Sequence, residues 1–439
     1  MIFPILNGSA QELRHRQGEL IIQFKSDYNV LNINTLNKRL RNDWILLSPQ
    51  KQLGNVWNIW LFEFDHTRYS AAELMESIST YDFVLNIQRN HLLQYRVKPN
   101  DPLFQLQWHH FNDASSGGVA DADFDTDLAW DFCTGGLTEN MDSIVICIID
   151  DGLEIQHEDI APNMWRNYAE IPGNGIDDDR NGYIDDFLGW NSFKQNDQID
   201  SEKHGTAVAG LAGAKGNNSM GISGIAWHNQ MMFVAGGGDE ANAIESYAYP
   251  LYFRRLYNQS KGSKGAFVVA TNSSWGADLV KAEDSPIWCA IYDSLGKEGI
   301  LNIASTTNQN IDVDVEGDMP TTCISEYLLA TTNVTDQNVK KVNAGYGKTS
   351  IDIGAYGEST YSTYINNSYR FFGGTSAAAP QVTGTVGLLY SLPCSHLDEL
   401  ALTEPAKAAL VARTCDLSDT IQVSKTRTDL MEGYYNLSG

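Results

Sequence analysis

The 439-residue sequence has no apolar run near the roughly 18–20 residues that a membrane-crossing helix needs, so no helical span is expected. Basic residues are scarce: 30 Lys and Arg stand against 55 Asp and Glu, a net charge of -25. A surface of that sign repels phosphate backbones and anionic lipid, so neither nucleic acid nor a membrane is expected as a partner. None of the six cysteines (133, 147, 289, 323, 394, 415) shares a C-x-x-C spacing, which argues against structural zinc. There is no internal repeat and no low-complexity tract.

What is present suffices for a large core, with 42% hydrophobic residues. The length suits one large domain and a smaller one. Residues 1–12 (Met1–Leu6, then Asn7-Gly-Ser-Ala10) resemble the tail of a secretory signal without its basic start, or else form an unstructured N-terminus. From residue 13 to 95 the pattern reads strand Glu19–Phe24, helix Leu31–Leu40, strands Asp43–Leu47 and Val56–Phe64, helix Ala71–Ser79 and strand Phe83–Gln88. That order predicts a small ferredoxin-like α+β unit. Two prolines in Arg96–Pro102 make a linker. Beyond it, β-branched runs (Ile144–Ile149, Ala266–Ala270, Ile300–Ala304) alternate with Gly/Ala-rich helical stretches (Thr206–Ala214, Ala377–Tyr390), which predicts an α/β fold with a mostly parallel central sheet covered on both faces. Cys394 and Cys415 bracket a polar helical stretch, and Cys289 and Cys323 flank a buried strand, so these are the two candidate disulfides; Cys147, inside an apolar run, reads as a buried thiol.

Three segments carry chemistry. Ile148-Ile-Asp-Asp-Gly152 is an apolar strand ending in a carboxylate and a turn glycine. His204-Gly-Thr-Ala-Val-Ala-Gly210 and Gly373-Gly-Thr-Ser-Ala-Ala-Ala-Pro380 each open a small-residue helix. A serine hydroxyl needs a base to become a nucleophile, and an imidazole titrates near neutral pH. A carboxylate behind the imidazole fixes its tautomer and stabilises its charged form. Asp150 ends a buried strand, where open α/β sheets place their sites. Asp151 is assigned to the opposite face of the strand and given no catalytic role.

These segments resemble, in order, the Asp-, His- and Ser-boxes of subtilisin-like serine proteases (subtilases, peptidase S8), a group that includes the proprotein convertases. The resemblance runs from about Asn100 to Pro393 and implies Asp150, His204 and Ser376 as a catalytic triad. It also implies an oxyanion donor, an Asn following an apolar strand; Asn308 in Ile300–Asn308 fits, with Asn310 as rival and with Thr307 where the family has glycine. Asn272-Ser-Ser-Trp-Gly276 resembles the strand that pairs with extended substrate, so Ser274, Trp275 and Gly276 are expected in the cleft, Gly276 leaving room for a substrate side chain. Val234–Gly238 is expected on the other side, and Asp278 hints at tolerance of basic side chains.

The loop Asn167–Asp200 is too long for a plain connection. Within it Asp177-x-Asp179-x-Asn181-Gly182-Tyr183 matches the opening of an EF-hand-type calcium loop: Asp177, Asp179, Asn181 and the Tyr183 carbonyl are the ligands, with Asp185 or Asp186 as the later acid. Leu188 stands where the closing Glu is expected, so the loop reads as a shortened variant. The resemblance implies a second calcium site from Asp101, Asp159, Asn218 and carbonyls of the 216–222 loop.

The expectation is therefore a secreted, monomeric, calcium-supported serine endopeptidase over residues 98–439. Residues 13–95 form its inhibitory and folding-assisting propeptide, released by autoprocessing near Tyr95–Lys98. Its partners are protein or peptide substrates and that propeptide. Two other readings share these residues: a peptide ligase or cyclase, and a calcium-stabilised, non-catalytic adhesion module.

Overall fold

The computed structural model describes residues 15–26, 47–54, 56–91, 98–115 and 117–392. The expectations for residues 1–12, the helix at 31–40 and the pair Cys394–Cys415 lie outside these. The chain divides into two compact units, with the boundary between Tyr95 and Arg96.

The first unit holds strands β1 (His15–Phe24), β2 (Ser48–Gln52), β3 (Ile59–Glu63) and β4 (Val84–His91) and helix α1 (Ala71–Ser79). The strands form one antiparallel sheet in the order β2-β3-β1-β4. Alternation on β1 turns Leu20, Ile22 and Phe24 inward, where they meet Phe62, Leu74 and Ile78. Ser70 and Glu73 close a capping box at the start of α1. The expected strand Asp43–Leu47 lies outside the described residues but for Leu47; β2 follows it at Ser48–Gln52.

The second unit is built on a seven-stranded sheet, ordered β13-β12-β10-β8-β5-β7-β6, in which every pairing is parallel. Its strands are β5 (Ile144–Asp150), β6 (Trp190–Asn191), β7 (Gln230–Ala235), β8 (Phe267–Ser273), β10 (Leu301–Ser305), β12 (Leu328–Val334) and β13 (Ile353–Tyr356). Two short ladders accompany it: β9 (Ala277–Asp278) with β11 (Asp318–Met319), and β14 (Thr360–Tyr364) with β15 (Ser368–Phe372).

All seven residues of β5 are buried, and they alternate between two cores. Ile144, Ile146 and Ile148 face α2 (Lys203–Gly213) and α5 (Thr375–Ser391). Val145, Cys147 and Ile149 face α3 (Glu240–Ser260) and α4 (Pro286–Lys297). Burial on both faces explains why the strands read as continuous apolar runs. The small residues of α2 and α5 let both helices approach closely; a side chain at Gly205 would collide with the Gly152 carbonyl.

The expected disulfide Cys289–Cys323 is present, and Cys147 is a buried free thiol, as is the half-buried Cys133 a free one. No helix among the described residues is long and apolar enough to cross a membrane.

Candidate active site

The carboxyl end of β5 places Asp150 at the head of the sheet with 1% of its surface exposed. His204 is the second residue of α2, and its Nδ1–H donates to Asp150 Oδ1 at 2.7 Å. The same oxygen accepts the Asp151 N–H at 2.8 Å, while Asp150 Oδ2 has no partner among the described residues. Asp151 Oδ1 in turn accepts the Gly205 N–H at 2.9 Å. The formal N-cap residue of α2, Glu202, makes no side-chain cap, so Asp151 satisfies one of the orphan N–H groups of that helix end. Burial alone would lower the His204 pKa; the hydrogen bond and charge of Asp150, with the charge of Asp151, outweigh it and raise the value above 6.5. Burial first, and then Asp150, push the Asp151 carboxyl up to about 6.

Ser376 is the second residue of α5 and 9% exposed. Because Ile149 pairs with Ser273, the next residue along, Ser274, stands beside Asp150. The Ser376 hydroxyl donates to the Ser274 carbonyl at 3.0 Å, and the Ser274 hydroxyl donates to the Ser376 carbonyl at 3.0 Å. The hydroxyl of Ser376 is thus directed at Ser274 and not at His204. Phe372, at the end of β15, lies edge-on to the His204 ring at 5.4 Å.

Asn308 is exposed just past β10, and its Oδ1 accepts the Thr375 N–H at 3.1 Å. Gly374, at φ 96°, makes this approach possible: a Cβ there would stand 2.8 Å from Asn308 Oδ1. The rival Asn310 is turned to Lys340, whose Nζ donates to it at 3.1 Å.

Trp275 Nε1 donates to the Ile149 carbonyl at 2.8 Å, and its ring stacks on Trp288 at 6.0 Å and faces Gly237. Trp275 therefore links the Ser274 segment to the Val234–Gly238 segment and to the α4 core. A Cβ at Gly276 would collide with the Met319 carbonyl, so the glycine permits the close approach of β11.

In the long acidic loop, oxygens of Glu170, Asp177 and Asp179 lie within 4.8 Å of one another. Asp177 and Asp179 also accept the Asn181 N–H, each at 3.0 Å, and Asp177 accepts that of Gly182 at 2.9 Å. Asn181 is bonded to Asp179 and Asp186, and Tyr183 packs its ring between Trp190 and Tyr249. Asp186 is buried against Tyr249 Oη at 2.8 Å and Asn167 Nδ2 at 2.9 Å, and burial pushes it up to about 6. Asp185 points elsewhere, to the Asn174 and Gly175 N–H groups. Glu170 Oε2 is buried without a partner among the described residues, an atom the chemistry of a hard cation fits. Asp101, Asp159 and Asn218 also come together around residues 216–223. There, Asp101 accepts from the N–H groups of Asn217 and Asn218 and from Ser223 Oγ, and Asp159 from Asn218 Nδ2 and the Ile222 N–H.

Residues 141–426 match the model of the subtilase family, peptidase S8. The chain belongs to that family. Subtilisin-like protease 1 of Plasmodium berghei is 28% identical to this subtilase over 282 residues, which are 58% of this chain and 44% of that protein. An extracellular protease of Xanthomonas campestris is 25% identical over 352 residues, 76% of this chain and 57% of that protein. The chain spans about half the length of these curated relatives. A protease of Pseudoalteromonas arctica has a solved structure similar to this subtilase at a TM-score of 0.49 and 22% identity, covering 72% of this chain and 92% of that one.

Sequence reasoning missed three residues of the subtilase site. Strand alternation puts Asp151 on the opposite face, yet its carboxylate bends back to the first turn of α2. Glu170 precedes the acidic motif by seven residues and carries no spacing signal of its own. Phe372 belongs to a hairpin that no periodicity ties to His204.

Proposed function

We propose that this subtilase is a secreted serine endopeptidase that hydrolyses protein or peptide substrates through an acyl-enzyme. The observation that carries the reading is the His204–Asp150 hydrogen bond at the sheet head, with Ser376 at the start of an adjoining helix. In the reaction Ser376 Oγ leaves the Ser274 carbonyl and gives its proton to His204 Nε2 as it attacks the scissile carbonyl. Asp150 holds the imidazole in the tautomer that accepts at Nε2 and offsets the charge it gains. The oxyanion that forms takes donors from Asn308 Nδ2 and the Ser376 N–H, and the N-terminus of α5 favours its charge. His204 then returns the proton to the leaving amine, and water repeats the cycle to release the acid.

Calcium is assigned to the acidic loop, held by Glu170, Asp177 and Asp179, whose close oxygens and orphaned Glu170 Oε2 support it. The ion supplies positive charge that lets these carboxylates remain together. The oxygens of Asp101 and Asp159 are already committed to protein donors, so a calcium ion there has the family resemblance alone in its favour. Residues 13–95 are assigned as the propeptide, and the mature enzyme as a monomer.

The test is labelling of the purified chain with a fluorophosphonate, followed by cleavage of a denatured protein substrate. Labelling at Ser376 and hydrolysis, both lost in Ser376→Ala, are expected. An unlabelled, inert protein would favour the adhesion reading, and aminolysis exceeding hydrolysis with an added amine would favour a ligase.

A further inference from the structure

Helix α5 carries a proline in its second turn. Pro380 has no N–H, so the Ser376 carbonyl four residues earlier lacks the donor that a regular helix would give it. The Ser274 hydroxyl supplies a donor from outside the helix, at 3.0 Å. Where Ser376 sits therefore depends on a side chain from another element.

That side chain is itself directed. A hydroxyl has one hydrogen to give, and an amide nitrogen only donates. Asn272 Nδ2 lies 3.0 Å from Ser274 Oγ, so Ser274 accepts there and its hydrogen goes to the Ser376 carbonyl. Asn272 Oδ1 in turn accepts from Thr383 Oγ1, on the third turn of α5, at 3.0 Å. The Thr383 hydroxyl also lies 3.2 Å from the Ala379 carbonyl, the acceptor four residues back that a helical threonine can use; the Asn272 oxygen is the nearer. Thr383 thus holds the Asn272 amide with its oxygen towards α5 and its nitrogen towards Ser274. Turned over, the amide would set an oxygen against Ser274 and draw that hydroxyl's hydrogen away from Ser376.

Thr383, Asn272 and Ser274 are all buried, so a lost link is not replaced freely by water. Asn272 pairs with Ile148 in the sheet, two residues before Asp150. The bonds therefore tie the start of α5 to the strand ends that hold the His204–Asp150 pair.

We propose that Thr383 and Asn272 are positioning residues: acting through Ser274, they fix the Ser376 backbone, and with it the nucleophile and the Ser376 N–H, against the head of the sheet. The inference rests on the endopeptidase reading and adds two residues that touch neither substrate nor the reacting atoms.

The experiment measures, for the full chain, kcat and KM on one peptide substrate, the rate at which a fluorophosphonate labels Ser376, and the melting temperature, with kcat taken per labelled site. Thr383→Val keeps the shape of the side chain and removes its hydroxyl. Its kcat and labelling rate are expected to fall together by about three- to tenfold, the scale of one hydrogen bond, with KM little changed. Thr383→Ser keeps the hydroxyl and is expected to hold both rates near those of the parent chain. Asn272→Ala removes both links and is expected to lose more; if it fails to fold, the two Thr383 variants decide alone. A Thr383→Val protein that melts earlier but keeps its kcat and labelling rate overturns the positioning role alone, as does a Thr383→Ser protein that loses as much as Thr383→Val. A parent chain that is neither labelled nor active overturns the endopeptidase reading and the positioning role with it.

Discussion

His204 balances two opposing effects: its burial disfavours charge, and the Asp150 and Asp151 carboxylates favour it. In the proposed mechanism only the neutral imidazole takes the serine proton, so kcat/KM is expected to fall as pH drops through the raised His204 value. Asp151→Asn keeps an acceptor for the Gly205 N–H and removes one negative charge, so the acid limb of the pH profile is expected to move to lower pH. Asp150→Asn removes the acceptor at Nδ1, and a rate loss of about 10⁴-fold is expected. Asn308→Ala is expected to cut kcat by about 10²–10³-fold with KM little changed, a magnitude that comes from subtilisin, a member of the same family. Asn310→Ala, by contrast, severs only a contact with Lys340 and should leave kcat nearly as it was.

At the scale of elements, the site depends on how closely α2 lies against the end of β5. Gly205→Ala places a methyl group against the Gly152 carbonyl and 3.0 Å from Asp150 Cβ, so the helix must shift outward. The expected result is a lower melting temperature together with a loss of kcat, because the shift separates His204 from Asp150; calorimetry and steady-state rates check both. The acidic loop is a second element with its own test. Chelation by EGTA should lower the melting temperature by several degrees, since a ligand at about 100 times its Kd contributes about 2.7 kcal/mol. Glu170→Gln should shrink that difference, and an EGTA-insensitive melting curve would remove calcium from the loop.

For the whole molecule, the boundary between Tyr95 and Arg96 separates a small antiparallel unit from the large parallel one. If the first is a propeptide released by the second, wild-type chain shortens to a form beginning near residue 98 while Ser376→Ala stays full length. Gel mobility and N-terminal sequencing of both proteins check this. Self-processing of the Ser376→Ala protein would show that release does not use this serine.

The sequence alone carried the parallel α/β architecture, because strands buried on both faces must be apolar throughout and their helices must be small-residued. It also put Asp150 at the end of a buried strand and His204 and Ser376 at the starts of small-residue helices, which is where the structure has them. The contacts of Asn308 with Thr375 and of Asn310 with Lys340 needed the fold, because only three-dimensional packing sets these loop residues against their partners. The same holds for Asp151, Glu170 and the Met319 carbonyl over Gly276. Periodicity records which way a side chain faces within its own element, whereas these contacts join loops far apart in the chain, and their distances are set only when the sheet and helices close.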